Sequence, residues 1–248
     1  MNKQLQRLLQ AGHGSRRDFL SHSAKLTAAI SLGGLPGMRG DRTFRAGAYP
    51  FTLGVASGDP LPDGVVLWTR LAPDPLAGGG MPPERMTVRW EVARDEAFSV
   101  IARSGSTVAT PELAHSVHAD VRGLEPGRPY WYRFMAGDHV SPVARTFTAP
   151  PTSSQPAQLR FAFASCQNYQ AGLYTAWQHM ADEEIELVLH LGDYIYESGI
   201  SENAVRRHNS PTIETLDAYR NRYALYKGDE HLQRAHTLFP FIVTWDDH

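Results

Sequence analysis

The chain has 248 residues, of which 42% are hydrophobic and 20% are charged, so it has enough apolar material for one large globular domain or two small ones. Its 24 basic and 26 acidic residues leave a formal net charge of -2. This balance gives no sign of the concentrated basic surface that nucleic acids and anionic membranes attract, so we expect neither as a partner. Because Cys166 is the only cysteine, no intramolecular disulfide bond can form.

The N-terminal segment, residues 1–48, has the features of an export signal followed by a linker. Residues 15–20 read Ser-Arg-Arg-Asp-Phe-Leu and are followed by a short apolar stretch and a Gly/Pro-rich run. This order resembles a twin-arginine signal, the address that the twin-arginine export machinery reads on folded proteins. The apolar stretch is too short for a stable membrane span, which needs roughly 20 residues. We therefore expect a periplasmic or extracellular protein; an amphipathic helix or a disordered tail is the alternative interpretation.

The next hundred residues, 51–150, have a β pattern. Runs rich in strand-forming residues at 65–69, 87–92 and 130–134 are separated by turn signals, which predicts a β-sandwich. The sequence Leu-Glu-Pro-Gly at 124–127, followed by an aromatic-rich strand, resembles the E–F corner of fibronectin type III sandwiches. In that corner a tyrosine hydroxyl caps the turn, so we expect the same contact here.

The pattern changes to alternating strands and helices after a linker rich in proline, serine and threonine. Apolar runs at 159–164, 185–191 and 241–245 predict three strands. The segments 173–184 and 213–235 have helical spacing. Strands that alternate with helices indicate parallel βαβ units, so we expect an α/β domain over the last part of the chain.

Each of these three strands runs directly into side chains that bind metal ions. The set, in chain order, is Cys166, Asp193, Tyr196, Asp246, Asp247 and His248. Because the carboxyl ends of parallel strands meet at one edge of a sheet, we expect these residues to converge. Carboxylates and a histidine suit a hard or borderline cation, and a thiolate and a phenolate favour a transition metal.

Four motifs, in this order, resemble the PhoD-type alkaline phosphatases and phosphodiesterases. They are Leu-Gly-Val-Ala-Ser-Gly-Asp-Pro at 53–60, Ala-Ser-Cys-Gln at 164–167, Leu-His-Leu-Gly-Asp-Tyr-Ile-Tyr-Glu at 189–197 and Trp-Asp-Asp-His at 245–248. A lone Gly-Asp pair is common in turns, whereas the ordered set is specific.

The resemblance implies a fold of two domains. An all-β, fibronectin type III-like sandwich at 51–150 precedes an α/β metallophosphatase-like domain at 157–248. In the family a glutamate follows the third strand, and further metal ligands come much later in the sequence. Since neither follows His248 here, we expect an incomplete catalytic domain, truncated at its C-terminus, with three assignable strands, an exposed sheet edge and no activity as this chain.

The resemblance also implies iron(III) and calcium as cofactors. Cys166 would supply a thiolate to iron, Asp193 would bridge the two metals, and Tyr196 would supply a phenolate. Asp246 and Asp247 would lie at or beside the calcium site.

His248 is the catalytic residue that the resemblance implies. It would face the substrate phosphate or assist proton transfer during attack by a water that two metals activate. The expected protein is a monomeric, secreted phosphoester hydrolase. Two alternatives stay open: a non-enzymatic surface or cell-wall-binding protein with a degenerate hydrolase domain, and a different metallohydrolase, such as a nucleotidase with manganese or zinc.

Other polar residues have structural interpretations. We expect His190 to be a hydrogen-bonded core histidine inside a strand. For Arg220 and Arg222, a solvated helix face is the favoured interpretation and a phosphate contact is the alternative. The remaining histidines that we assign to the surface are His115, His118, His179, His208, His231 and His236.

Overall fold

The computed structural model describes residues 48–153 and 158–248. The predicted export signal therefore lies outside the described residues. Within the described ranges, no helix is both long enough and apolar enough to cross a membrane.

Eleven strands and three α-helices make up the described part of the chain. The strands are β1 (Val55–Leu61), β2 (Gly64–Arg70), β3 (Met86–Ala93), β4 (Ile101–Ala109), β5 (Ser116–Arg122), β6 (Pro129–Ala136), β7 (His139–Val140), β8 (Ala144–Phe147), β9 (Phe161–Ala164), β10 (Leu187–His190) and β11 (Pro240–Val243). The helices are α1 (Thr175–Met180), α2 (Leu216–Lys227) and α3 (Glu230–Leu238), and short 3-10 turns lie at Pro111–Leu113 and Tyr169–Ala171.

The strands form two sheets. The first has six strands in the order β5-β2-β1-β11-β10-β9, and the second runs β4-β3-β6-β7 with β8 paired to β6. Strands β9, β10, β11 and β1 are mutually parallel, whereas β1, β2 and β5 pair antiparallel. The expectation of a three-stranded sheet is wrong, because β1 joins β11 and extends the sheet with strands from the first half of the chain. At the other end, β9 has a partner on one side only among the described residues.

A first core lies between the two sheets. It combines Val55 and Leu67 from the six-stranded sheet with side chains from β3 and β6 of the other sheet. Tyr130, Tyr132 and Phe134 alternate along β6 and are at most 1% exposed, as their period-two spacing predicts. The Tyr130 hydroxyl accepts a hydrogen bond from the Glu125 amide at 2.8 Å, which is the predicted turn cap.

A second core lies under α1 and α3, on one face of the parallel strands. Trp177 of α1 and Leu232 and Phe239 around α3 pack against Val188 and Phe241. The helices are shorter than predicted. The segment expected to be one helix over 213–235 is two, because the Asp229 carboxylate accepts hydrogen bonds from the amides of His231 and Leu232 and starts a new helix there.

The opposite face of the same strands is open. Phe161 and Phe163 of β9 point away from the helices and are 50% and 68% exposed. Leu189 and Ile242 continue this row on the neighbouring strands, where they pair in register with Phe163 and with each other. Parallel sheets normally have both faces covered. In the described part of the chain, these strands are covered by helices on one face only.

Candidate metal centre

Two strained turns at the ends of β9 and β10 form the base of the site. Cys166 and Asp193 have positive φ angles of 55° and 54°, which non-glycine residues seldom adopt. The Cys166 amide donates to the Gly192 carbonyl and the Gln167 amide to the Asp193 carbonyl, both at 3.2 Å. Each turn therefore holds the other in place, and the two strand ends present their side chains to the same edge of the sheet.

Gly192 permits the close approach of the third strand end. Its φ is 114°, and a Cβ at this position would lie 2.5 Å from the Asp246 Cβ. No side chain fits there without displacing the backbone. The glycine of the Gly-Asp pair thus lets the segment after β11 lie directly beside the turn that carries Asp193.

Three potential metal ligands converge at this edge. One ligand atom each from Asp193, Asp247 and His248 lies within 4.8 Å of the other two. Asp193 is buried, whereas Asp247 and His248 are exposed. The Asp193 Oδ1 atom is buried and has no hydrogen-bond partner among the described residues. A buried carboxylate oxygen without a partner is costly unless a cation completes its surroundings, so this donor set fits a bound metal ion.

Tyr196 and Cys166 contact the central carboxylate. The Tyr196 hydroxyl donates to Asp193 Oδ2 at 2.7 Å. This bond, a further one from the Cys166 thiol and the charge of His248 lower the pKa of Asp193. Burial and the hydrogen bond to Asp193 raise the pKa of Tyr196, so in these surroundings the phenol keeps its proton; a cation would favour the phenolate. Cys166 is exposed.

Glu197 is a member of the site that the sequence analysis missed. Its carboxylate lies 3.0 Å from His248 Nδ1, and this hydrogen bond raises the pKa of His248. The His248 ring also lies 4.4 Å from the Tyr196 ring, measured between centroids. A carboxylate that orients a histidine is a common companion of metal and phosphate sites. The sequence feature that could have identified Glu197 is its position directly after Tyr196, at the end of the motif at 189–197.

Five of the six residues singled out in the sequence meet here: Cys166, Asp193, Tyr196, Asp247 and His248. Asp246 lies next to Gly192 but outside the cluster of three ligands. Their individual roles remain predictions.

The surface assignment is wrong for one arginine and three histidines. Arg222 is fully buried, and its Nη1 donates to the carbonyls of Tyr196 and Ser198 at 2.5 and 2.9 Å, which anchors the loop after Asp193. The imidazoles that are buried instead of exposed are those of His115, His208 and His236. His190 is buried as expected, but neither of its ring nitrogens has a hydrogen-bond partner among the described residues.

Carboxylates and a histidine gathered at the ends of parallel strands in a β-rich protein are typical of proteins that bind metal ions. Comparison with known proteins narrows this class to one family. The sequence profile described as PhoD-like phosphatase, N-terminal domain, matches residues 37–150, and the PhoD-like phosphatase profile matches residues 161–248. Alkaline phosphatase D of Bacillus subtilis (strain 168) is 54% identical over 244 residues, which is 94% of this chain and 42% of that protein.

A solved structure of PhoD superposes with a TM-score of 0.80 at 58% sequence identity, over 82% of this chain and 40% of that chain. The chain belongs to the PhoD-like phosphatase family. It spans about two fifths of the length of these relatives.

Proposed function

We propose that the protein is a metal-dependent phosphoester hydrolase of the alkaline phosphatase D type. The observation that carries this proposal is the convergence of Asp193, Asp247 and His248, whose ligand atoms lie within 4.8 Å of one another. The buried Asp193 Oδ1 atom, which has no hydrogen-bond partner among the described residues, supports it. Membership of the PhoD-like phosphatase family supports it. The proposed activity is that of the whole protein, because this chain corresponds to 42% of its relative.

The metals in this proposal are iron(III) and calcium. Cys166 and Tyr196 would hold iron, Asp193 would lie between the two ions, and Asp247, with Asp246 beside it, would face calcium. When bound, the two cations would activate a water molecule and neutralise charge on the phosphoryl oxygens.

The residues of the chain bind and orient the reactants. Glu197 holds His248 through Nδ1 at 3.0 Å, which leaves Nε2 available to the substrate. The same hydrogen bond raises the pKa of His248 in the metal-free chain. In this proposal His248 passes a proton to the phosphate or to the leaving oxygen. Tyr196 orients the Asp193 carboxylate through its hydroxyl.

Domain organisation and export complete the proposal. The hydroxyl of Tyr130 at the predicted turn supports a fibronectin type III-like sandwich in the first half of the chain, and the ligands at the strand ends support a metallophosphatase-like second half. The Ser-Arg-Arg-Asp-Phe-Leu order at 15–20 supports export by the twin-arginine pathway.

Metal content tests the proposed centre directly. The purified chain is incubated with iron and calcium, dialysed and analysed by inductively coupled plasma mass spectrometry. Asp193→Asn should weaken metal binding by about tenfold or more, because it removes the central negative ligand. Asp182→Asn is the matched control, since Asp182 is an exposed aspartate paired with Arg234 away from the site. Equal metal content in the chain and in Asp193→Asn would contradict the proposed centre.

Turnover is measured separately, on the whole protein purified from the organism that produces it. Hydrolysis of p-nitrophenyl phosphate and bis-p-nitrophenyl phosphate should be lost in Asp193→Asn and retained in Asp182→Asn. Metal binding without turnover on either substrate would favour the non-enzymatic alternative.

A further inference from the structure

A cavity of about 220 Å³ lies apart from the metal centre. It is bounded by the end of β2, the glycine-rich loop around residues 78–80, the turn Pro111–Leu113 and helix α2. Its polar lining consists of Arg70, His115, Asp217, Arg220 and Asn221. The cavity shares no lining residue with the metal centre, so its chemistry needs a separate explanation.

Arg70 is a buried charge without a counterion. The residue is 4% exposed and forms no ion pair with any described residue. Its Nε donates to the Ala114 carbonyl at 3.0 Å and its Nη1 to the Arg220 carbonyl at 3.2 Å. The Nη2 atom is buried and has no hydrogen-bond partner in the described part of the chain. An arginine buried in this way is destabilising unless an anion compensates its charge.

Arg220 places a second guanidinium next to the first. Burial and, after it, the charge of Arg220 lower the pKa of Arg70. The carboxylate paired with Arg220 is that of Asp217, at 3.2 Å, and its side chain is 86% exposed. Water screens such an exposed pair, so it offsets little of the positive charge of the cavity.

The glycine-rich loop contacts Arg70 and helix α2. Gly78 donates its amide to Asn221 Oδ1 at 3.2 Å, which ties the loop to α2. Gly79 lies over Arg70, where a Cβ would come 3.3 Å from Nη2, and its φ of 97° also favours glycine. The loop therefore places only backbone next to the Arg70 guanidinium, where larger residues would place side chains.

We propose that this cavity binds a small oxyanion of the phosphate class, held between the guanidinium groups of Arg70 and Arg220. Guanidinium groups match the geometry of phosphate oxygens, and two of them with one screened carboxylate leave an excess positive charge. The ligand is either free inorganic phosphate or the phosphate group of a small organic phosphate. This site goes beyond the proposed hydrolase activity and does not depend on it.

Binding of inorganic phosphate to the purified chain, kept metal-free with a chelator, tests the proposal by isothermal titration calorimetry. Arg220→Gln should weaken binding by about tenfold or more, because it removes a charge-assisted contact. Arg234→Gln is the control, since Arg234 is a 48% exposed arginine that also pairs with an aspartate. Asp193→Asn should bind phosphate as the unchanged chain does, which separates this cavity from the metal centre.

The absence of saturable phosphate binding would overturn the proposal, as would equal affinities for the unchanged chain and Arg220→Gln or a loss of binding in Asp193→Asn. Arg70→Gln should weaken binding as Arg220→Gln does, with its fold checked by circular dichroism; if it does not fold, Arg220→Gln decides. Glycerol phosphate is titrated in parallel: tighter binding than that of inorganic phosphate identifies an organic phosphate as the ligand, and weaker binding identifies the free ion. Acetate that binds more tightly than both would overturn the phosphate class.

Discussion

Asp193 combines burial, a positive φ of 54° and a carboxylate oxygen without a partner. A non-glycine residue in this conformation stores about 1 kcal/mol or more, which the surrounding contacts must offset. The Gly-Asp pair after an apolar run identified this residue in the sequence. Its conformation was not predictable, because it depends on a hydrogen bond from the Gln167 amide and on the turn that follows another strand.

Gly192→Ala should destabilise the protein. The new Cβ would lie 2.5 Å from Asp246 Cβ, at a φ of 114° that alanine avoids. We expect a loss of about 2 kcal/mol or more in the free energy of unfolding, measured by urea denaturation. Gly172→Ala is the matched control, because a Cβ at Gly172 meets no atom within 4 Å. A variant of Gly192 as stable as that of Gly172 would show that the segment after β11 is not held against this turn.

Lys227 is a titratable residue whose surroundings the sequence did not reveal. Its Nζ lies 4.4 Å from the centre of the Trp68 ring and 3.4 Å from His236 Nε2. Burial lowers the pKa of Lys227 to about 7 and that of His190 to about 4. Burial, followed by the charge of Lys227, holds the pKa of His236 well below its usual value. The folded protein therefore binds fewer protons here than the unfolded chain.

Stability should rise with pH because of Lys227. An unfolded lysine titrates near pH 10.4, so the unfavourable contribution of Lys227 is fully present below about pH 7 and disappears as the pH rises towards 10. Lys227→Met keeps the packing of the stem and removes the charge. We expect it to stabilise the protein at pH 7 by about 1–2 kcal/mol, since cation–π contacts with Trp68 and Tyr194 offset part of the cost.

Urea denaturation at pH 7 and pH 10 measures this effect. The stability difference between Lys227→Met and the unchanged chain should shrink towards pH 10. Arg234→Met, at an exposed site, should show no such dependence on pH. A difference that stays constant between the two pH values would mean that Lys227 remains charged in the folded protein.

At the scale of single elements, the sequence located the strands of the second half but not their neighbours. The first two apolar runs contain β9 and β10, which are shorter than predicted by two and three residues, and the third run overlaps β11, which starts one residue earlier and ends two residues earlier than predicted. The pairing of β1 with β11 was not predictable, since it joins Ser57 to Pro240 across most of the chain. Local periodicity identifies a strand and its buried face, whereas the partner depends on packing between distant segments.

Arg222 shows the same limit within α2. The helical pattern placed it on a solvated face, but its Nη atoms donate to backbone carbonyls of the loop that follows Asp193. Arg222→Met should destabilise the protein by about 3 kcal/mol, because these carbonyls would stay buried without partners. Urea denaturation with Arg234→Met as the exposed control measures the difference. Equal stability of the two variants would show that the loop does not depend on this arginine.

At the scale of the whole molecule, the six-stranded sheet joins the two halves that the sequence suggested were separate. Strands β1, β2 and β5 contribute one face to the core between the sheets, and β9, β10 and β11 contribute one face to the core under the helices. The metal centre lies at the ends of the second group. Its ligands are therefore held by a sheet that is covered on one side only near β9.

The open face of β9–β11 should bind hydrophobic molecules and promote self-association of this chain. Phe163 is 68% exposed there and pairs in register with Leu189 on the next strand. Contiguous apolar surface of this kind favours contacts between copies. Fluorescence of the dye ANS should increase on mixing with the purified chain, and sedimentation velocity should show association that grows with concentration. Phe163→Thr should reduce both effects, because threonine keeps the strand propensity but removes the ring.

Val108→Thr is the control, because Val108 is 42% exposed on β4, in the other sheet. This variant should bind the dye as the unchanged chain does. If the chain stays monomeric at high concentration and does not increase the fluorescence of ANS, the face is covered in solution. The sequence-based expectation of a monomer would then hold.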